Sequence, residues 1–297
     1  MMIEFDMTDL GKMKYFLGIE VLQRPYGVFI GQRKYAQKVL DRFKMDQCNP
    51  VHNPVAPGFK LMKDEDRVRV DSRLYKQIVG SLMYLTATHP DMTFIVSLIS
   101  RYMERPTEMH LQAAKRALRY VKGTIGFGVF YKKGGKQEFL GYTDSDYTGD
   151  QDDRKSTSGY VFLISSGGVS WSSKKQPVLT LSTTEAEFIS AASSACQVVW
   201  LRRILKELCH DQCKSTVLYC DNVSAIKLSK NPVLHDRSKH IDVRFHFLRD
   251  LTKEGIVELV QCSTQEQVAD IFTKPLKLDV FLKLRGLLGV CSYPAVN

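Results

Sequence analysis

The order of strand and helix patterns after residue 136 constrains the fold of this chain more than any other feature. Three short strand patterns come first, at residues 139–143, 159–164 and 169–172, and polar turns separate them. The patterns that follow are a long helix over 183–210, the strand STVLYCD, helices from Asn222 and over 239–253, the strand IVELVQC and a final helix from Thr264. Consecutive strands followed by strands that alternate with helices predict an α/β fold, a mixed five-stranded sheet with helices packed on it.

The first half of the chain has a different pattern, a hairpin followed by helices. Apolar alternation on both sides of a Pro25-Tyr26-Gly27 turn predicts two strands, and helical spacing begins at about Gln32. An exposed connection is predicted over 50–71, where prolines and mixed charges show no periodicity. Further helices are predicted over 75–87, 90–103 and 107–123. This half of the chain therefore reads as a small hairpin-plus-helices unit.

The length of the chain bears on its division into domains. A chain of 297 residues favours two folding units, each able to bury a core. The pattern changes at the glycine-rich KKGGK of residues 132–136. We therefore predict one domain over 1–131 and a second over 136–288.

Basic residues outnumber acidic residues in this sequence. Lys and Arg total 42 and Asp and Glu total 32, which gives a formal net charge of +10 and an isoelectric point near 9.2. Such a surplus favours polyanionic partners, above all nucleic acid, although a basic surface that only confers solubility is an open alternative. In the helix predicted over 107–123, a stripe beside the apolar face supplies candidate phosphate contacts at Lys115, Arg119 and Lys122. A solvated helix face has the same appearance.

Patterns typical of membrane or secreted proteins are not found in the sequence. Apolar runs such as 198–201 are far shorter than the roughly 20 residues of a membrane span. The start, MMIEFDMTDLGK, has acidic residues and no apolar signal-peptide core, so we expect an intracellular protein without a membrane partner, in a cytoplasmic particle or the nucleus. The seven cysteines are irregularly spaced, and Cys209, His210 and Cys213 have no second ligand pair at zinc-finger distance.

Acidic residues end two of the predicted strands. Asp144 ends a strand in GYTDSDY and Asp221 ends another in LYCDN, so the two carboxylates meet at one edge of the sheet if the strands are neighbours. Bound divalent cations would relieve their repulsion. No EF-hand spacing is found among the nearby acids, which are typical of turns, at Asp146, Asp150, Asp152 and Asp153. A role for Asp146 in supporting the ligands stays open.

The long helix and the last helix contribute two more candidate acids. Ser182 and Glu185 fit a capping box, in which Glu185 bonds back to the N–H of Ser182. Glu187 lies beside the apolar stripe that faces the sheet and is therefore the better ligand. Asp270 in QVADIFTK is predicted near the start of the last helix, where an acid also suits the helix dipole. Four acids from two strand ends and two helices could hold two metal ions about 4 Å apart, an arrangement that hydrolyses phosphodiesters.

The ordered motifs carry a resemblance to a known family. They are LGKMKYFLGIEV, YKQIVGSLMYL, HPDMTFIVSLISRYM, AAKRALRYVKGT, YTDSDYTGD, DRKSTSGYVF, SWSSKKQ, STTEAEFIS, CDNVSAI, NPVLHDRSKHIDVRFHFLRD and ADIFTKPL. Over nearly its whole length the chain resembles the carboxyl-terminal part of a copia-type LTR retrotransposon Pol polyprotein, which comprises the end of the reverse transcriptase and the RNase H domain. The resemblance implies an RNase H-like mixed five-stranded sheet with flanking helices. Before it, the smaller hairpin-plus-helices unit resembles the palm end, thumb and connection of a reverse transcriptase.

The resemblance also implies an activity, a site and partners. RNase H domains of this kind cut the RNA strand of an RNA–DNA hybrid with two Mg²⁺ ions, and Mn²⁺ is an alternative ion. Matched by motif, the catalytic and metal-binding acids are Asp144, Glu187, Asp221 and Asp270. The implied partners are the RNA–DNA hybrid and the remainder of the reverse transcriptase or polyprotein. Since such a nuclease reads backbone shape and 2′-OH groups, further candidate contacts to nucleic acid are Arg154, Lys155, Lys174, Lys175 and His240.

The sequence departs from the family pattern at two places, and these departures limit the expected activities. The paired aspartates of the polymerase motif Tyr-x-Asp-Asp are missing, because the only Asp-Asp here is Asp152-Asp153 in a polar loop, so polymerase activity is not expected from this chain. The loop QCSTQEQ before Asp270 has no His, a residue that helps product release in many cellular RNases H, so turnover is expected to be slow. Two alternatives stay open. One is a non-catalytic retroelement relic that folds and binds nucleic acid; the other is a transposase or integrase of the same general fold, against which the thumb-like segment argues.

Overall fold

Two sheets and their flanking helices organise the chain in this computed structural model, which describes residues 11–63, 68–134, 138–230 and 242–292. The strands are β1 (Tyr15–Phe16), β2 (Ile19–Arg24), β3 (Gly27–Gly31), β4 (Phe127–Lys132), β5 (Phe139–Asp146), β6 (Thr157–Ile164), β7 (Gly167–Lys175), β8 (Thr216–Cys220), β9 (Val257–Gln261) and β10 (Val290–Ser292). The α-helices are α1 (Arg33–Arg42), α2 (Ser72–Leu85), α3 (Thr93–Ser100), α4 (Glu108–Gly123), α5 (Thr183–Glu207), α6 (Val223–Lys230), α7 (Asp242–Lys253) and α8 (Leu278–Leu287). In the described part of the chain, no helix is long and apolar enough to cross a membrane.

The first sheet is antiparallel and extends the predicted hairpin. Its strand order is β1-β2-β3-β4-β10. The hairpin prediction is confirmed, since β2 and β3 pair from Arg24 with Gly27 to Glu20 with Gly31. Strand β3 also pairs with β4, and β4 with β10, so this edge of the hairpin is covered. The sequence analysis does not predict β4 or β10, and the three residues of β10 are too few to show alternation.

Helices α1 to α4 form the helical part of the first unit, and most of the predicted helices are confirmed. The pattern over 90–103 instead divides into a 3-10 helix, Pro90–Met92, and α3. Proline at the first position of that 3-10 helix suits a helix start, where its missing N–H has no intrahelical partner. The fully buried side chains between these helices include Tyr75, Leu82, Ile95, Ile99 and Leu118.

The second sheet is mixed and confirms the predicted five-stranded architecture. Its strand order is β7-β6-β5-β8-β9. The pairs β5 with β6 and β6 with β7 are antiparallel, whereas β5 with β8 and β8 with β9 are parallel. Helix α5 packs on one face through Phe188, Ala192 and Val198, which are buried in one core with Phe162 and Leu218. The carboxyl ends of β5 and β8 therefore lie side by side at one edge of the sheet.

The two units share one core. Val161 of β6 and Phe272 are buried in the same cluster as the helices of the first unit, and α8 joins them through Phe281, whose ring lies 5.7 Å from that of Tyr120. Gly289 leads from α8 into β10 with a φ of 77°, and an added Cβ there would lie 2.7 Å from the backbone oxygen of Ser166, so glycine is required. The division into domains 1–131 and 136–288 stays a prediction, since α8 and β10 pack on the first unit.

A buried ion-pair network fastens the loop after β5 to the end of α3. The carboxylate of Asp150 accepts hydrogen bonds from Arg101 Nη1 at 2.9 Å and Lys175 Nζ at 3.0 Å. Arg101 Nη2 also donates to the hydroxyl of Thr157 at 3.0 Å. Burial opposes ionisation of Asp150, but Lys175, the backbone N–H of Asp152 and Arg101 lower its pKa to about 2. This acid, predicted as a turn residue, therefore also joins the two units.

Asp150→Ala is expected to destabilise the protein by about 3 kcal/mol, because it leaves the largely buried Arg101 without its carboxylate. The free energy of unfolding in urea measures the loss. Asp153→Ala is the matched control, since Asp153 pairs with the same Lys175 but is 37% exposed, and its expected loss is below about 1 kcal/mol. Equal losses in the two variants would contradict a structural role for Asp150.

The prediction of a continuous last helix from Thr264 is wrong. Two 3-10 helices, Thr264–Glu266 and Val268–Phe272, precede α8. Pro275 explains the break: it has no N–H to donate, and it disfavours helical geometry in the residue before it. Asp270 accordingly lies within the 3-10 helix Val268–Phe272 and not at the start of an α-helix.

Candidate active site

The strand ends bring the first two predicted acids together. Tyr142 of β5 pairs with Tyr219 of the parallel strand β8, and their rings stack with centroids 4.9 Å apart. Asp144 and Asp221 each follow two residues later, so they leave the sheet at the same edge. Asp144 is 2% exposed, whereas Asp221 is half-buried. The prediction that these carboxylates share one edge is confirmed.

Helix α5 presents Glu187 to the same edge and Glu185 to the backbone. The N–H of Ser145 donates to Glu187 Oε1 at 3.0 Å, which fixes the carboxylate against the end of β5. Ser182 caps the helix as predicted, its Oγ accepting from the N–H of Glu185 at 3.2 Å. Glu185 Oε2 accepts from the N–H of Leu181 at 2.8 Å, one residue before the predicted partner. The two acids thus have the different environments that their helical phase predicts.

Asp270 lies in the 3-10 helix Val268–Phe272, which is hydrogen-bonded to β5 through the side chain of Gln267. The side chain of Gln267 accepts from the N–H of Ala269 at 3.2 Å and donates to the backbone oxygen of Thr143 at 3.0 Å. Gln267 therefore holds the 3-10 helix Val268–Phe272 against the strand that carries Asp144. Asp270 is 6% exposed.

Among the other residues that contact the acids are Lys274 and Thr273, and the sequence reasoning missed both. Lys274 Nζ lies 2.9 Å from Asp270 Oδ1 and 3.7 Å from Asp144 Oδ2. The hydroxyl of Thr273 donates to Asp144 Oδ2. The spacing of Asp270 and Lys274, four residues apart, was the available signal, but it indicates no more than a surface ion pair on a helix.

Mutual repulsion shapes the electrostatics of the cluster. Burial, followed by the charges of Asp144 and Asp221, raises the pKa of Glu187 well above its usual range. Burial and Asp144 raise the pKa of Asp270 to about 7, and the same two causes raise the pKa of Asp221. For Lys274, burial is outweighed by Asp144 and Asp270, which raise the pKa of its ammonium group. Ionisation of all four carboxyl groups is therefore unfavourable in this site unless a cation is bound.

The donor atoms at this edge suit a hard divalent cation. Donor atoms of Glu187, Cys220 and Asp221 lie within 4.8 Å of one another. Carboxylate oxygens are the ligands that Mg²⁺ prefers. Burial and the nearby charge of Glu187 raise the pKa of the Cys220 thiol, which therefore stays protonated and is a poor ligand. The acids rather than the thiol fit a metal of this class.

Asp146 lies next to the cluster but faces another partner. Its carboxylate accepts from the N–H of Thr157 at the start of β6. Burial is the main cause that raises the pKa of Asp146 to about 7, and Asp144 adds to it. Asp146 therefore belongs to the electrostatic surroundings of the site, and its supporting role stays a prediction.

Of the two lysines of β7 that are predicted to contact nucleic acid, one is exposed and the other forms ion pairs within the protein. Lys174 is exposed at the end of β7, where it pairs with Ser158, and Ser158 pairs in turn with Ser145. Lys174 thus lies at the same sheet edge as the acids, two strand spacings or roughly 10 Å from β5. Lys175 is engaged by Asp150 and Asp153, each at 3.0 Å.

The other candidate contacts lie farther along the chain. In α4, Lys115 is exposed, Lys122 is half-buried and Arg119 Nε donates to the backbone oxygen of Asn49 at 2.7 Å. In the loop after β5, Arg154 is exposed and Lys155 Nζ lies 3.7 Å from Asp153. His240 lies outside the described residues. A role in binding nucleic acid stays a prediction for all of these residues.

Comparisons with known proteins show the family of the chain. Residues 1–57 match the family described as reverse transcriptase (RNA-dependent DNA polymerase). The Retrovirus-related Pol polyprotein from transposon RE1 of Arabidopsis thaliana is 41% identical over 290 residues, which cover 98% of this chain and 20% of that protein. The Retrovirus-related Pol polyprotein from transposon TNT 1-94 of Nicotiana tabacum is 41% identical over 298 residues, which cover 97% of this chain and 22% of that protein. This chain belongs to the copia-type Pol polyprotein family.

The copia-type Pol chain spans about one fifth of the length of these relatives. Its second sheet and flanking helices have the RNase H-like α/β arrangement. Among solved structures, it is similar to LC11-RNase H1, solved in complex with an RNA/DNA hybrid, with a TM-score of 0.35, 13% identity and coverage of 46% of this chain and 94% of that one. The mixed five-stranded sheet with flanking helices is the architecture that the resemblance to the copia-type Pol family implies for the second half of the chain.

Proposed function

We propose that this copia-type Pol segment is a metal-dependent nuclease that cuts the RNA strand of an RNA–DNA hybrid. The observation that carries the proposal is the convergence of Asp144, Glu187, Asp221 and Asp270 at one sheet edge, three of them buried. Burial and their mutual repulsion raise the pKa values of three of the four acids, and a bound divalent cation would favour their ionised forms. Structural ion pairs are usually balanced, whereas this cluster has one lysine for four acids among the described residues.

Each acid has a role in this proposal. Asp144, Glu187 and Asp221 would hold the metal at the ends of β5 and β8, and Asp270 completes the cluster. Two Mg²⁺ ions, or Mn²⁺ in their place, supply an activated water and stabilise the leaving oxygen when bound. The backbone N–H of Ser145 orients Glu187, and the hydroxyl of Thr273 orients Asp144. Lys174, at the same edge, is placed to contact a backbone phosphate of the duplex.

The chemistry of the family favours a hybrid as the substrate. An RNA-dependent DNA polymerase, which is how the family matched by residues 1–57 is described, leaves its RNA template paired with the new DNA strand. A nuclease on the same polyprotein would remove that template. Since this chain has no Tyr-x-Asp-Asp motif, we expect the remainder of the polyprotein to supply polymerisation.

The experiment is cleavage of a hybrid labelled on the RNA strand, in Mg²⁺, by the chain and its Asp144→Asn variant. We expect the variant to lose more than roughly 100-fold in rate, the upper end for residues that only support a metal ligand. Lys277→Met is the control, since Lys277 is exposed and should leave the rate unchanged. If the chain and the variant both bind hybrid and neither cleaves it, the non-catalytic relic becomes the better account.

A further inference from the structure

The position of Lys274 bears on how many metal ions the acid cluster holds. Its ammonium nitrogen lies 2.9 Å from Asp270 Oδ1 and 3.7 Å from Asp144 Oδ2, so it lies between two of the four acids. A metal ion bound by the same two carboxylates would need the same space, because metal–oxygen distances of about 2 Å place an ion between the two oxygens. The ammonium group and such an ion exclude each other.

The backbone fixes Lys274 in this place. Its N–H donates to the backbone oxygen of Asp270 at 3.2 Å, which closes a turn and directs the side chain back over that residue. Thr273, one residue earlier, donates its hydroxyl to Asp144, and Pro275, one residue later, prevents the turn from continuing as a helix. These contacts hold the backbone of Lys274 beside the acids, and its side chain, which is 37% exposed, reaches them from that position.

The remaining acids leave room for one ion. Asp221 follows β8, the strand next to β5, and the donor atoms of Glu187 and Asp221 lie within 4.8 Å of each other. One divalent cation there and the ammonium group of Lys274 together supply three positive charges against the four carboxylates. A second divalent cation would be favoured only after the ammonium group leaves.

We propose that Lys274 takes one of the two cation positions of the cluster, so that the free protein binds a single divalent ion beside Glu187 and Asp221. The second position opens only when the lysine moves away. This inference rests on the proposed metal-dependent site. It adds that the side chain of Lys274 occupies the place of one of the two expected ions.

The test counts Mn²⁺ ions bound to the full chain at equilibrium, by calorimetry and by the free-Mn²⁺ resonance signal. We expect one ion per chain for the unaltered protein, for Lys274→Arg and for the control Lys277→Met, and two for Lys274→Met. Two ions already bound by the unaltered protein, or no second ion gained by Lys274→Met, would overturn the inference. Lys274→Arg keeps the charge and shows that substitution alone does not change the count.

A second measurement needs no metal. In chelator at neutral pH, Lys274→Met should melt at a lower temperature than Lys277→Met, because the acids lose the cation between them. The double variant Lys274→Met with Asp270→Asn should recover the loss, since it removes one of the repelling charges. Unchanged melting of Lys274→Met would count against the proposal. Hybrid cleavage is scored separately: absent cleavage with the expected ion counts would remove the proposed nuclease and leave the inference standing.

Discussion

Glu187→Gln is expected to abolish hybrid cleavage, while Glu185→Gln, two residues earlier on the same helix, leaves it nearly unchanged. The substitution at Glu187 keeps the size of the side chain and removes the charge that faces Asp144 and Asp221. We expect a rate loss of more than roughly 100-fold, as for Asp144→Asn. Glu185 meets the backbone N–H of Leu181, a contact that the amide oxygen of Gln can also accept.

Melting temperatures separate this result from a general loss of structure. In chelator, Glu187→Gln should melt at a higher temperature than the unaltered chain, because one of the repelling buried charges is gone. Glu185→Gln should lose about 0.5 kcal/mol of stability, since it removes a negative charge from the amino-terminal turn of α5. Single-turnover cleavage and circular dichroism melts measure both effects. Cleavage retained in Glu187→Gln, or lost equally in both variants, would contradict the assigned roles.

The metal-free protein is expected to lose stability as the pH rises from about 4 to about 7. Burial, with the charge of Asp144, raises the pKa of Asp270 from 3.8 to about 7, so in this window the folded state binds a proton that the unfolded state has released. Stability then falls with increasing pH, and it is lowest above pH 7. The raised pKa values of Glu187 and Asp146 act in the same direction. We expect a loss of about 4 kcal/mol from Asp270 alone, because its pKa is shifted by about three units and each unit corresponds to about 1.4 kcal/mol.

Mg²⁺ should reverse this loss, and more strongly at pH 8 than at pH 5, because ligand carboxylates must be deprotonated to bind a metal. Urea unfolding in chelator and in Mg²⁺ at both values of pH provides the measurement. Asp270→Asn should flatten the pH dependence in chelator. The lowered pKa of Asp150 has the opposite sign, but it acts below about pH 4, outside this range. Stability in chelator that rises between pH 5 and pH 8 would rule out the repulsion described here.

Much of the site could be predicted, because the positions of its residues follow from short sequence patterns, namely strand ends and helical phase. Asp144 and Asp221 directly follow apolar runs of strand length, and parallel pairing brings such positions to one edge. The choice of Glu187 over Glu185 followed from helical phase, since the two side chains lie on different sides of α5. Its motif identifies Asp270, but Pro275 ends the segment that carries this residue before a continuous helix can form.

The sequence by itself determined the strands of the mixed second sheet, the helices between them and the acids that end two of its strands, since each of these depends on the spacing of neighbouring residues. Only the tertiary structure decided which side chains complete the site. Thr273 and Asp144 are separated by 129 residues, and Gln267 and Thr143 by 124, so no local pattern records that they meet. The place of Lys274 between two acids was likewise decided by packing, because it depends on a turn held against β5 and not on the spacing of residues along a helix.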